Sequence, residues 1–226
     1  GSLKLEPENY DIRYWHAQNL LRLGRLGEAL PEFEKLVAED AYRFDVKIDL
    51  ARAYTIRQRF EDALDLWVEI IDEIPENLDF RTEFARALLM TGSLDEADAQ
   101  ARAILAEDPT RWPVLGMRAD IAEISQSDLQ VVATLRTLID DAATEEQEAR
   151  LHARLGARYT ILHNKNPERW PLTLALEQYA EAIDRIPDNV SWLNQYSGLA
   201  LMAGKTLEAR RVIDHVLRDV NPYNRH

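Results

Sequence analysis

Leu50-Ala51-Arg52-Ala53-Tyr54, followed by Glu61-Asp62-Ala63-Leu64, is the stretch that decides the fold. Its key alanines, Ala51 and Ala63, stand twelve residues apart, and each recurs at a step of 34. Ala17, Ala51, Ala85 and Ala119 form one column, and Ala29, Ala63 and Ala97 form the other. Such a period marks a helix pair that cannot bury its apolar face alone, so neighbouring pairs must stack into a solenoid. Small residues at both positions let antiparallel helices approach closely, while Phe33 and Trp67 fill the space one turn on. Leu36, Ile70 and Ile104 continue the stripe. Pro75, Pro109 and Pro187 end their units, because proline cannot continue a helix.

On these residues the chain resembles a tandem array of tetratricopeptide repeats, the 34-residue helix-turn-helix family. The first unit, 10–43, carries Leu23-Gly24-Arg25 at its turn and Glu28-Ala29-Leu30 in its second helix. The second is 44–77, and the third, 78–111, carries Thr91-Gly92-Ser93 and Asp95-Glu96-Ala97. The sixth, 190–223, carries Ala203-Gly204-Lys205 and Glu208-Ala209-Arg210. The resemblance implies an all-α, right-handed α-solenoid of about six repeats forming one continuous array.

Two units depart from the pattern. In the fourth, 112–148, Gln126 replaces the turn glycine and Val131 the second small residue, which implies looser packing or altered twist. In the fifth, 149–189, Leu155-Gly156-Ala157-Arg158-Tyr159 fits the first helix, but Ala175 follows Gly156 by 19 residues instead of 12. The extra seven fall in 162–171 and predict a longer turn or a longer first helix. Pro31, early in a second helix, predicts a late start or a kink there. Gly1-Ser2 reads as a cloning scar. Leu3-Lys4-Leu5-Glu6-Pro7 and Asn221-Pro222-Tyr223-Asn224 read as parts of flanking repeats, so the chain is expected to be a fragment of a longer array.

Charge is unevenly spread. Residues 1–110 hold 13 Lys and Arg against 24 Asp and Glu, a net of −11; residues 111–226 hold 14 against 16, a net of −2. A chain of this sign is a poor nucleic-acid ligand, since phosphate binding needs a basic surface. The acidic half is either a solvated outer face or a surface that steers a basic partner. Part of it reflects helix starts: Asn9, Asn77 and Asn189 share one phase as N-caps, and Asp11, Asp45 and Asp79 follow at the positive end of the dipole.

Family resemblance implies that ligands lie along the concave face built from the first helices. Candidate residues there are Asp11, Tyr14, Gln18, Asp45, Arg52, Asp79, Arg86 and Asp120. Arg52 and Arg86 could clamp carboxylates bidentately or pair with local acids. The carboxylate clamp of co-chaperone repeats does not carry over, because its positions here are Tyr14, Gln18, Asp49, Asp79 and Glu83. Trp67 is core by phase; Trp15 and Trp192 fit either core or groove. Trp112 and Trp170 each sit in Arg-Trp-Pro, and there either the tryptophan staples a helix start or Arg169 and Trp170 anchor a partner on the long turn.

No chemistry is legible. The five histidines are scattered, repeated acids are explained by dipoles and solubility, and neither a phosphate loop nor a nucleophile with its base occurs. No enzyme, metal or cofactor is expected. Zero cysteines fit cytoplasm or bacterial periplasm, and no apolar run of about 18 residues spans a membrane. Three functions remain: a protein-interaction scaffold, direct binding of a cationic polysaccharide, or a regulatory module of a larger enzyme. With 22 Arg and 5 Lys the array is similar to periplasmic repeat regions of bacterial exopolysaccharide export proteins, which recruit polymer-modifying enzymes and guide polymer. That resemblance implies a polysaccharide-modifying enzyme as partner and favours periplasm over cytoplasm.

Overall fold

The computed structural model describes residues 9–220; Gly1-Ser2, Leu3 to Pro7 and Asn221 to Asn224 lie outside the described residues. Twelve α-helices and no strand occur among those described, and a division after Ala106 separates two compact units. Unit 1 holds α1 (Tyr10–Arg22), α2 (Leu26–Glu39), α3 (Phe44–Ile56), α4 (Phe60–Glu73), α5 (Leu78–Met90) and α6 (Leu94–Glu107). Unit 2 holds α7 (Trp112–Ser125), α8 (Asp128–Asp140), α9 (Glu145–Lys165), α10 (Leu172–Arg185), α11 (Val190–Met202) and α12 (Thr206–His215), which runs into a π-helical turn at Val216–Val220. This is the α-solenoid class: helices adjacent in sequence pack on one another, α1 through α5 in unit 1 and α7 through α12 in unit 2.

The small columns are where the helices cross. Ala17, Ala51, Ala85 and Ala119 are fully buried, as are Ala29, Ala63 and Ala97. Beside them Phe33, Trp67, Leu36, Ile70 and Ile104 are equally sealed, and Trp67 meets Phe80 with ring centroids 6.0 Å apart. Asn9, Asn77 and Asn189 accept from backbone N–H groups of the first turn, as the phase predicts, at 3.0 to 3.3 Å.

Four of the intra-repeat turns share one closure. The third residue of each returns its N–H to the helix: Arg25 to Leu20, Arg59 to Tyr54, Ser93 to Leu88 and Lys205 to Ala200, at 2.8 to 2.9 Å. The residue before it takes the left-handed conformation that closure requires. Gly24, Gly92 and Gly204 take it freely, but the second repeat uses Gln58 at φ 60°. The fourth repeat replaces this turn with extended backbone at Gln126, where Gln130 Oε1 accepts from the Ser127 N–H at 3.1 Å and its hydroxyl at 2.6 Å. Val131 is nonetheless fully buried.

Pro31 does not delay its helix. The helix α2 runs unbroken from Leu26, with Pro31 exposed in the second turn, so the proline removes only the donor that would have reached the Gly27 carbonyl. In the fifth repeat both the first helix and the turn are longer: α9 has 21 residues and begins at Glu145 rather than 149, and 166–171 form the turn. Its early start is fixed by Gln147, which is buried, donates to the Pro109 carbonyl at 2.9 Å and accepts from the Ala143 N–H at 2.7 Å.

At Gly156 the crossing of α9 on α10 is tighter than at the alanines. A Cβ there would lie 2.9 Å from Cδ2 of Tyr179 and 3.3 Å from the Ala175 carbonyl oxygen. Gly156→Ala therefore displaces the buried Tyr179 ring and should lower stability by about 1–3 kcal/mol in urea denaturation. Gly198→Ala, where a Cβ meets nothing within 4 Å, should instead raise it by about 0.5–1 kcal/mol. Gln58→Gly relieves a left-handed strain of about 1–2 kcal/mol but frees the unfolded chain, so a net gain below about 1 kcal/mol is expected. A loss of stability on that change would show that Gln58 is held by its side chain.

Candidate partner-binding face

In unit 1 the first helices bring several predicted residues into one polar lattice. Asp49 Oδ2 accepts from the Tyr14 hydroxyl at 2.8 Å and the Gln18 amide at 2.9 Å, while Arg52 stands 3.8 Å from its other oxygen. Arg43, from the turn before α3, donates to Asp11 at 3.1 Å and to Asp45 at 2.8 and 3.0 Å. Its guanidinium also lies over the rings of Tyr10 and Tyr14, at 4.9 and 5.7 Å. Burial and then the bond to Asp49 push the Tyr14 phenol well above its usual range, so it stays a donor. Arg86 pairs locally with Glu83 at 3.8 Å, as Arg52 does with Asp49. Asp79 lies in the first turn of α5, behind the Asn77 cap. Trp15 is 62% exposed.

In unit 2 the face opens into a groove of about 550 Å³ between α9 and α11. Ala153 and Ala157 form its floor with Tyr179, and Arg150, Arg154, Ile161 and Trp192 form its walls. Aligning Gly156 with Ala51 explains the space. Ala153 and Ala157 stand where the second repeat has Ile48 and Arg52, and Arg150 and Arg154 stand where it has Asp45 and Asp49. The arginines are already engaged: Arg154 bonds Glu123 at 2.7 Å and Asp120 at 2.5 Å, and Arg150 bonds Glu146 at 2.6 Å while lying 5.1 Å over Trp112. Asp120, expected on this face, is thus a strut between α7 and α9.

The long turn is folded back on its helix. Trp170 is half-buried with its ring centroid 5.8 Å from that of Tyr159, and its carbonyl meets His163 Nδ1 at 2.8 Å. Arg169 is exposed and lies 5.5 Å over the Trp170 ring. His152, eleven residues from His163 on the same helix, meets Gln178 at 2.9 Å, so the two histidines serve separate contacts. Among the described residues no group of three His, Cys, Asp or Glu could hold a metal ion, and no helix is long and apolar enough to cross a membrane.

A second column went unread in the sequence. In five of the six repeats, five residues past the small position of the first helix, stand Ile56, Met90, Ile124, Ile161 and Met202, and all are exposed, between 47% and 66%; the first repeat has Arg22 there. The signal was their common phase at the end of the first helix, outside both buried stripes.

Within each unit, helix pairs that stack in sequence order define a helical-repeat architecture. Residues 2–45 and 55–121 match models of the tetratricopeptide repeat. The matched segments carry tetratricopeptide repeats, a class of repeat that is generally non-catalytic and binds protein partners. Similar solved structures include a tetratricopeptide repeat protein from Parabacteroides merdae ATCC 43184, at 14% identity and TM-score 0.62 over 93% of this chain and 79% of that one. MamA from Desulfovibrio magneticus RS-1 aligns at 13% and 0.61, over 81% and 98%. YrrB, a repeat protein with an unusual peptide-binding site, aligns at 16% and 0.55, over 88% and 94%. Identities this low speak for the fold alone. No curated protein matches the sequence.

The Arg43 lattice makes unit 1 acid-sensitive in a defined way. The hydrogen bond from Arg43 holds the Asp45 carboxyl below its ordinary value, so this contribution is complete above about pH 4 and is lost as pH falls through the folded value. Arg43→Met should lower the urea midpoint at neutral pH, and the gap to the parent should narrow below about pH 4. A gap of constant size across that range would mean that Arg43 acts only through its packing on Tyr10 and Tyr14.

Proposed function

We propose that this chain is a non-catalytic scaffold that recruits a partner protein along the first-helix face, within a bacterial exopolysaccharide export and modification assembly. The observation that carries the scaffold reading is the groove of about 550 Å³ between α9 and α11, where alanines stand at positions at which the second repeat has the larger Ile48 and Arg52. A mixed lining of Trp192, Ile161, Ser191 and Gln195 suits a peptide segment, since it offers an aromatic anchor beside hydrogen-bonding side chains. YrrB, of similar fold, has a peptide-binding site. In unit 1 the first helices carry Asp11, Asp45, Asp79, Arg52 and Arg86 as further candidate contacts, and on the long turn Arg169 and Trp170 supply a separate one. The exopolysaccharide setting, and with it the periplasm, rests on the arginine-rich, lysine-poor composition and the resemblance drawn from it.

The test is affinity capture from bacterial periplasmic and cytoplasmic extracts with the parent and three variants: Ala157→Arg, Arg52→Glu/Arg86→Glu and Arg169→Ala/Trp170→Ala. Ala157→Arg fills the groove with the side chain the second repeat already carries there, so folding is not at stake. The expected result is one protein retained by the parent and lost with Ala157→Arg, and its identity as a polymer-modifying enzyme would establish the setting. Retention of nothing, with salt-sensitive binding to a cationic polysaccharide, would replace the scaffold with direct polymer binding through the acidic half.

A further inference from the structure

A smaller notch lies on the other side of unit 1, between the second helices α2 and α4 and above α3. It encloses about 300 Å³. Its floor is apolar, made by Val37, Ala38, Leu50 and Leu66, and its rim carries Glu34, Asp62 and Asp65, with the Tyr54 ring as one wall. We propose that this notch docks a lysine or arginine side chain of a partner protein, with its aliphatic stem on the apolar floor and its cationic head against Asp65.

The rim holds three carboxylates against one cation. Arg59, from the turn before α4, lies 4.2 Å over the Tyr54 ring and bonds Glu34 at 2.9 Å and Asp62 at 2.7 Å. Glu34 also accepts from the Tyr54 hydroxyl at 3.0 Å; burial, and then this bond, push that phenol up to about 12. Arg59 therefore shows, within the chain itself, how a guanidinium sits on this wall and between these acids. Asp65 is exposed and has no hydrogen-bond or ion-pair partner among the described residues. A long basic side chain fits this combination because its methylene stem covers apolar surface while its head stays at the rim.

The counterpart in unit 2 reverses the chemistry. Glu34 is matched by Arg136, which donates to the Tyr159 hydroxyl at 2.7 Å, and Asp62 is matched by Leu174. The Tyr159 ring is covered by Trp170 from the long turn instead of by an arginine. In the next repeat of unit 1, Val68 and Ala99 replace Glu34 and Asp65. The acidic rim is therefore a property of one helix pair rather than of the repeat. It also sits in the half of the chain whose net charge of −11 would steer a basic partner toward it.

The experiment is selection of a random-peptide phage library on the whole chain, followed by fluorescence polarisation with the enriched peptides made synthetically. Expected is enrichment of Lys or Arg next to an apolar residue, with binding weakened at least about tenfold by Asp65→Lys. Glu177→Lys, at the matching place in unit 2, and Ala157→Arg in the groove should leave it unchanged. Because Asp65 is exposed and unpaired, Asp65→Lys does not threaten the fold. Enriched peptides that lack a basic residue, or that bind Asp65→Lys as well as the parent, would overturn the proposal. Peptides lost only with Ala157→Arg would overturn it too while upholding the first-helix groove, and a library yielding no binder would count against both.

Discussion

Everything in this protein follows from how closely two helices can approach where they cross. The crossing positions carry alanine in nearly every repeat, and each is sealed from solvent. With a methyl group or less at the contact, helix axes can close to the short end of the usual packing distance, and the larger apolar side chains are pushed one turn away, where they interdigitate. Phe33 and Trp67 fill that space in the first two repeats, and Leu135 and Tyr179 do so later. Gly156 takes the constraint to its limit: Cδ2 and Cε2 of Tyr179 would lie 2.9 and 3.0 Å from a Cβ there. That ring also lines the groove, so a close helix contact in unit 2 helps to shape its open surface.

Most of the architecture was legible because helix packing writes itself into sequence at a fixed period. The columns, the asparagine caps and the turn glycines are all short-range signals. What escaped was set by contacts far apart in sequence or by compensation. The early start of α9 rests on the Thr144 cap, which accepts from the Gln147 N–H, together with Gln147 reaching the Pro109 carbonyl, 38 residues away; the Thr-x-x-Gln cap was legible locally, the distant bond was not. Gln58 takes a glycine's conformation because the Arg59 N–H bond to Tyr54, and the seat of Arg59 on that ring, hold the turn. Pro31 is absorbed in the second turn because its exposed position leaves the missing bond on the solvent side.

The candidate site was read less well, for a physical reason. Of the predicted residues, Asp11, Tyr14, Gln18, Asp45 and Arg52 do converge, but on one another, through Asp49 and Arg43. Charge columns on adjacent helices neutralise each other before any partner arrives, and a sequence shows the columns without showing the pairing. The groove was hidden by the seven-residue slip in the fifth repeat, which obscures that Ala153 and Ala157 answer Ile48 and Arg52. Exposed apolar residues such as Ile124 and Ile161 keep phase as faithfully as buried ones, so period alone cannot sort them.

The two units keep their packing positions alike while their surface positions differ. At crossing positions, substitution is confined to Ala, Gly and Ser, with Val131 of the fourth repeat as the exception. At face positions the same scaffold accepts opposite charges, with Asp45 against Arg150, Asp49 against Arg154 and Glu34 against Arg136. Each reversal is met by a local answer: Arg154 finds Asp120 and Glu123, and Tyr159 turns from donor to acceptor opposite Arg136. The hydroxyl can do this because it offers both a proton and lone pairs, whereas a carboxylate in its place could only accept. Retaining tyrosine at this phase therefore lets the surface change sign between units while the packing beneath it stays as it is.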